Sequence, residues 1–142
     1  MRVVLDTDVV LSAFVSPRGA SRLWLRAALQ RDIQMVLSVP LAIEYESVLR
    51  RPQHLARARA STRDVEMLLD AMVRQADLVA ISYLWRPILR DPGDDMVLEA
   101  AVNGRATLIL SFNGSDFVGA QRFGIGVSAP GPAWHDWQQG RP

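Results

Sequence analysis

The sequence predicts an α/β fold, a three-layer sandwich in which helices cover a mostly parallel central sheet. Short apolar runs alternate with longer mixed segments along the 142 residues. The longer segments carry apolar residues at helical spacing. Strand–helix alternation with right-handed crossovers places the strands parallel to one another.

Five strands are predicted in chain order. The first is the β-branched run Arg2–Leu5, and the clearest is Thr107–Leu110. Three similar or weaker runs complete the set, at Met35–Leu37, Leu78–Ile81 and Gly126–Val127. The runs do not alternate polar with apolar residues, so we expect a sheet that is buried on both faces.

Two helices are predicted in the first part of the chain. The segment Ser21–Arg31 has apolar residues spaced for one helical face. Ser38 is a predicted N-cap, because Pro40 follows in the first turn and apolar residues recur up to about Arg50. These helices would connect the first strands of the sheet.

Two further helices are predicted from their end signals. Ser61 and Asp64 have the spacing of a capping box, which marks a helix start. A later helix is expected to open at Asp94 or Asp95 and to be closed by Gly104.

The length is that of one domain. We expect a single domain over residues 1–130 and a C-terminal tail over residues 131–142, which Trp134 and Trp137 could dock onto the body. Neither a signal peptide nor a membrane span is expected.

Two residue types are missing from the sequence, and their absence excludes several functions. There is no cysteine, which excludes disulfides, thiolate metal sites and cysteine nucleophiles, and which fits a cytoplasmic protein. All 16 basic residues are arginine, so chemistry that needs a lysine of this chain is excluded. The net charge of +1 does not indicate nucleic-acid binding by bulk charge, so any such contact would use local patches.

Several acids fall just after predicted strands or near helix starts, where parallel sheets collect ligands. Taken singly, each aspartate could be a turn or capping residue, and the glutamate could be a solvated helix residue. Clustered on one rim without lysine, they would repel one another unless a proton or a cation intervened. Mg²⁺ or Mn²⁺ suits such oxygen ligands. The acids are Asp6, Asp8, Glu44, Asp94, Asp95 and Asp116.

Four segments resemble the motifs of the PIN-domain family, in order and with similar spacing. Residues 3–13 contain Asp-Thr-Asp after an apolar run, and residues 38–52 contain an acid on a helix that leads into Val-Leu-Arg-Arg-Pro. Residues 90–101 contain Asp-Pro-Gly-Asp-Asp before an Ala-rich helix, and residues 110–117 end in Asp-Phe. The nearest subgroup is the toxin components of bacterial toxin–antitoxin systems, of the VapC type.

The resemblance implies a PIN-like fold and a metal-dependent endoribonuclease. It implies Mg²⁺ or Mn²⁺ as the cofactor, which would activate water and stabilise charge on the phosphate. The catalytic and metal-binding quartet of the family falls on Asp6, Glu44, Asp95 and Asp116.

Four further residues are implied as supporting groups. Asp8 replaces the usual asparagine of the first motif and adds a negative charge beside the quartet. Ser111 replaces the usual threonine of the fourth motif and keeps the hydroxyl. Asn113 would orient Asp116 or a water, and Asp94 is the second choice for the third acid.

The implied partners are an RNA substrate and a cognate antitoxin. Arg50, Arg51, Arg57 and Arg59 form a local basic patch that suits phosphates, although a solvated loop and helix face in a lysine-free protein is the slightly better explanation. The segment 62–75 is more apolar than one buried face requires, which is consistent with a surface for a homodimer or for the antitoxin, although simple core packing explains it at least as well.

One alternative to this function is excluded by the sequence, and two others remain open. A phosphatase of the haloacid-dehalogenase type shares only the opening Asp-Thr-Asp and needs a lysine, which the chain lacks. A PIN-like binding module without activity would keep the fold but not the chemistry. A nuclease with a DNA substrate or an RNA-processing role would have the same site.

Overall fold

The computed structural model describes residues 1–81 and 92–140, and a five-stranded sheet forms its centre. The strands lie in the order β3-β2-β1-β4-β5, and every pairing is parallel. This confirms the predicted α/β architecture. The strands are β1 (Arg2–Leu5), β2 (Gln34–Leu37), β3 (Asp77–Leu78), β4 (Leu108–Leu110) and β5 (Gly126–Ser128).

Helices connect and cover the strands. Helices α1, α2, α3 and α5 pack on one another, while α6 packs on β1, β2 and β4, so the sheet lies within a three-layer α/β/α sandwich. In the described part of the chain, no helix is long and apolar enough to cross a membrane. The helices are α1 (Thr7–Val15), α2 (Ala20–Leu29), α3 (Val39–Leu49), α4 (Pro52–Ala58), α5 (Thr62–Gln75), α6 (Pro92–Asn103), a 3-10 helix (Gly114–Phe123) and α7 (Pro130–Gln138).

The strand order reverses beside β1, and this reversal positions the site. From β1 the chain adds β2 and β3 on one side and then β4 and β5 on the other. The carboxyl ends of β1 and β4 therefore flank the point where parallel α/β sheets bind their ligands.

Two predicted helix starts are confirmed in detail. The Ser38 hydroxyl accepts a hydrogen bond from the Leu41 amide at 3.2 Å and caps α3. Ser61 and Asp64 form a reciprocal capping box at the start of α5, because each side chain accepts the backbone N–H of the other residue. These local signals fix helix starts independently of the rest of the fold.

Two predicted element boundaries differ in the structure. Strand β3 is the two-residue segment Asp77–Leu78 instead of Leu78–Ile81, because β2 ends at Leu37 and offers no further ladder partner. Helix α6 begins at Pro92, earlier than predicted, so Asp94 and Asp95 both lie in its first turn. Asp91, the first residue of the Asp-Pro-Gly-Asp-Asp motif, lies outside the described residues.

Gly104 follows α6 as predicted, but its role differs from the expected one. A Cβ at this position would lie 2.2 Å from Cγ1 of buried Val36 and 2.9 Å from the Ala100 carbonyl oxygen. The left-handed conformation after α6 is instead adopted by Arg105, with φ of 53°. Glycine is therefore needed at residue 104 for close packing of α6 on β2 rather than for a positive φ.

The predicted C-terminal tail forms α7 in its described part. Trp24 of α2 is fully buried, and its indole N–H donates to the Pro130 carbonyl at 2.9 Å. Its ring lies 5.2 Å from the Trp134 ring and 5.4 Å from the Trp137 ring, measured between centroids. Three tryptophans thus hold α7 against α2, through contacts in which aromatic pairs are favourable.

Candidate active site

Asp6 lies at the junction between β1 and α1, where the strand order of the sheet reverses. Its backbone N–H donates to the Leu110 carbonyl at 2.9 Å, which extends the β1–β4 ladder by one step. Its carboxylate Oδ1 accepts the Thr7 N–H at 2.7 Å and caps α1. The residue is only 7% exposed. The end of β1 and the start of α1 therefore fix one buried carboxylate at the carboxyl edge of the sheet.

Ser111 ties this carboxylate to the end of β4. Its hydroxyl donates to Asp6 Oδ2 at 2.7 Å and accepts the Asn113 N–H at 2.9 Å. Both Asp6 oxygens thus accept a hydrogen bond, one from Thr7 and one from Ser111. Ser111 is itself buried, so its hydroxyl is held in a fixed position.

Asp8 fastens the loop after β4 to the first turn of α1. Its Oδ2 accepts the Phe112 N–H at 3.2 Å and the Asn113 side-chain amide at 2.9 Å. Its Oδ1 is buried and has no hydrogen-bond donor within residues 1–81 and 92–140. A buried carboxylate oxygen without a donor favours an additional proton or cation at that position.

The two aspartates resist ionisation. Burial raises the pKa of Asp6, and the charge of Asp116 adds to that rise, while hydrogen bonds from Ser111 and Thr7 oppose it. Burial and the charge of Asp6 raise the pKa of Asp8 to about 6. Desolvation and like charge, the two effects expected of clustered carboxylates, therefore both act here.

Asp116 lies in the segment that follows β4, after Ser111 and Asn113. It lies exposed in the first turn of the 3-10 helix, and its backbone N–H donates to the Asn113 carbonyl at 2.9 Å. Its negative charge makes a small contribution to the raised pKa of Asp6. The loop that carries Asp116 is the one that Asp8 and Ser111 hold in place.

The remaining predicted acids lie on helices that pack around this group. Glu44 is half-buried on α3, which packs on α1 and α6. Asp95 is buried in the first turn of α6, with Asp94 half-buried beside it. The participation of Glu44 and Asp95 in the site remains a prediction.

Among the residues that the structure describes, no three acids or histidines are grouped closely enough to hold a metal ion as they stand. Other features of the site do fit a hard divalent cation. The candidate metal-binding atoms are carboxylate oxygens, which a hard divalent cation prefers. Asp8 Oδ1 has no hydrogen-bond donor, and the pKa values of Asp6 and Asp8 are raised. The residues therefore fit such an ion in charge and donor type.

Two buried residues that were not predicted as site residues from the sequence lie close to these acids along the chain. The Tyr45 hydroxyl donates to the Leu5 carbonyl directly before Asp6. Burial, together with the charge of Asp6, raises the pKa of Tyr45 well above its usual value. Glu99 is buried one turn after Asp95 on α6. The sequence signal for Glu99 is its i, i+4 spacing from Asp95, which places both acids on one helical face.

The predicted basic patch surrounds α4 and is exposed throughout. Arg51 is the N-cap of α4, and Arg59 ends the helix in the left-handed conformation, with φ of 53°. Arg50 lies 3.9 Å from Glu46, in a solvent-exposed pair that stabilises little. Arg57 lies in the last turn of α4. All four side chains are open to solvent, and a role in RNA binding remains a prediction.

The raised pKa of Asp8 predicts how metal-free stability depends on pH. An acid whose pKa rises from 3.8 to about 6 on folding binds more protons in the native state, so stability falls as pH increases through that window. Asp8→Asn removes this effect. We expect the variant to exceed wild type by about 1–3 kcal/mol in free energy of unfolding above about pH 7, and the difference to vanish below about pH 4. Urea unfolding in EDTA at several pH values measures it, and a pH-independent difference would contradict it.

Comparison with known protein families matches residues 2–115 to the PIN domain. The matched region begins in β1, includes the sequence segments of Asp6, Glu44 and Asp95, and ends one residue before Asp116. No curated protein matches the chain.

Proposed function

The chain belongs to the PIN-domain family, a family of nucleases, and from this premise we propose that it is a divalent-metal-dependent endoribonuclease. The observation that carries the proposal is the pair Asp6 and Asp8, which lie where the strand order of the sheet reverses. Asp6 is hydrogen-bonded to Ser111, and Asp8 is hydrogen-bonded to the backbone of the same loop. Asp6, Glu44, Asp95 and Asp116 are the proposed metal-binding and catalytic residues.

A bound Mg²⁺ or Mn²⁺ would supply positive charge to the scissile phosphate and lower the pKa of water. The side chains of this chain would prepare the site for that ion. Thr7 and Ser111 orient the Asp6 carboxylate through hydrogen bonds of 2.7 Å each. Asp8 holds the loop that carries Asp116, through Phe112 and Asn113.

RNA is the proposed substrate because the four motifs resemble those of ribonuclease toxins. The phosphate backbone would be held by the exposed arginines around α4, since arginine suits phosphate oxygens. A small cognate antitoxin is the proposed partner, with an arginine or lysine reaching the carboxylates. The cytoplasm, where RNA and antitoxin are both present, is the proposed location.

A cleavage assay tests the enzymatic part of this proposal. Single-stranded RNA, structured RNA and single-stranded DNA are each incubated with the purified protein in Mg²⁺, Mn²⁺ or EDTA. We expect internal cleavage of RNA with either metal and none in EDTA. Cleavage of DNA but not of RNA would show that the substrate is DNA. RNA binding without cleavage in either metal would favour a PIN-like binding module.

A growth assay tests the biological part. Expression of wild type alone is expected to slow bacterial growth, whereas Asp95→Asn, at equal protein level, is expected not to. Equal growth with both proteins would argue against a toxin even if the cleavage assay succeeds. The two assays therefore separate the chemistry from the biological role.

A further inference from the structure

One aromatic side chain is exposed at the carboxyl edge of the sheet, in the loop directly after β4. Phe112 is 53% exposed, and it is the one aromatic residue among the eight large hydrophobic side chains that are exposed in the described part of the chain. An isolated exposed apolar residue is ordinary and needs no partner. Phe112 differs from the other seven in its position, between two residues that hydrogen-bond to the carboxylates of Asp6 and Asp8.

The backbone on both sides of this ring is fixed to the carboxylates. The Ser111 hydroxyl donates to Asp6 Oδ2 at 2.7 Å and accepts the Asn113 N–H at 2.9 Å. Asp8 Oδ2 accepts the Phe112 N–H at 3.2 Å and the Asn113 side-chain amide at 2.9 Å. The backbone that carries the ring is therefore already ordered, so a ligand that covers the ring loses little affinity to loop ordering.

Positive charge is missing from the same stretch of the chain. The sequence has no arginine, lysine or histidine between Arg105 and Arg122, and Phe112 and Asp116 both lie in this interval. This segment therefore cannot hold a nucleotide by pairing cations with its phosphates. An aromatic ring holds a nucleotide by a different contact, stacking on the flat face of the base, and that contact does not need a charge.

On the premise of the proposed endoribonuclease function, we propose that Phe112 is a substrate-binding residue that stacks on one unpaired base of the RNA, next to the carboxylates. Stacking on a side chain needs a base face that is not covered by a neighbouring base pair, so the substrate class is single-stranded RNA. Every base has such a face, so Phe112 would favour unpaired RNA without selecting one of the four bases.

RNA binding in EDTA, where no cleavage is expected, tests this contact separately from the chemistry. The probe is a labelled oligouridylate, and fluorescence anisotropy gives its dissociation constant. Phe112→Ala is expected to weaken binding about 10-fold or more, whereas Phe112→Trp should bind at least as tightly as wild type. Phe112→Leu keeps an apolar side chain but lacks a flat ring, so it should resemble alanine. Because the residue is exposed, the melting temperatures of all these proteins should agree.

Met67→Ala is the control for the loss of an exposed apolar side chain. Met67 is 61% exposed on α5, and its replacement is expected to leave the affinity for RNA unchanged. Duplex RNA is the control for the ligand. Its bases are already stacked on one another, so wild type and Phe112→Ala should bind it equally.

Abasic RNA identifies the partner of the ring. Removal of the contacted base should weaken binding to wild type but not the already weaker binding to Phe112→Ala, because the two changes remove the same contact. The stacking proposal is overturned if wild type does not bind single-stranded RNA, or if Phe112→Ala or Phe112→Leu binds it as tightly as wild type. Cleavage by such variants in Mn²⁺ would leave the nuclease function intact. The expected loss of affinity in a protein that cleaves no RNA would support the stacking contact and contradict the nuclease function alone.

Discussion

Asp6→Asn is expected to reduce metal-dependent RNA cleavage by about 10²–10⁴-fold and to leave the metal-free protein at least as stable as wild type. The carboxylate is buried beside Asp8 and within reach of the charge of Asp116, so its negative charge is unfavourable in the absence of a cation. An amide oxygen can still accept the Thr7 N–H, and the Ser111 hydroxyl can rotate to accept the new N–H donor. Cleavage rate in Mn²⁺ and urea unfolding in EDTA measure the two effects.

Asp64→Asn is the matched control for this substitution. Asp64 is an exposed aspartate that hydrogen-bonds to Ser61 in the capping box of α5, and those hydrogen bonds lower its pKa. Its replacement is expected to reduce stability and to preserve cleavage. If Asp6→Asn cleaves RNA at the wild-type rate, Asp6 is not an active-site residue.

Trp24→Ala is expected to destabilise the protein by about 3–5 kcal/mol, a large effect among the substitutions considered, because it empties a fully buried position. The substitution also removes the hydrogen bond to Pro130 and the ring against which Trp134 and Trp137 pack. Urea unfolding measures the loss of stability, and tryptophan fluorescence reports whether α7 separates from α2.

Trp24→Phe is the control for this loss. It retains most of the buried aromatic surface but lacks the indole N–H, so the cost should be clearly smaller than that of alanine. If alanine and phenylalanine cost the same, the hydrogen bond to Pro130 would dominate, and the packing account of α7 would be wrong.

The sequence was sufficient for the architecture because the fold depends on local and periodic signals. The apolar run Arg2–Leu5 indicates a strand buried on both faces, and Ser38 and Ser61 indicate helix starts through their own hydrogen bonds. The 3-10 helix Gly114–Phe123 carries no comparable signal. Helix α4 has no fully buried residue, so apolar periodicity does not mark it.

The site was predictable only where topology determines it. Asp6 and Ser111 follow adjacent parallel strands, so their proximity follows from the rule for strand ends. The burial of Tyr45 beneath β1 and of Glu99 on α6 depends on how whole helices pack on the sheet. No short sequence pattern carries that information. The role of Gly104 was missed for the same reason, since it depends on the approach of Val36.

Binding of Mn²⁺ to the metal-free protein tests the proposed carboxylate site most directly. A ligand that binds only the native state stabilises it, by about 2.7 kcal/mol at a concentration 100 times its dissociation constant. The melting temperature of wild type should therefore rise with Mn²⁺ concentration, and that of Asp6→Asn should rise much less. Asp6 does not bind the cation if millimolar Mn²⁺ leaves the melting temperature of wild type at its value in EDTA. The same conclusion follows if Mn²⁺ raises the melting temperatures of wild type and Asp6→Asn by the same amount.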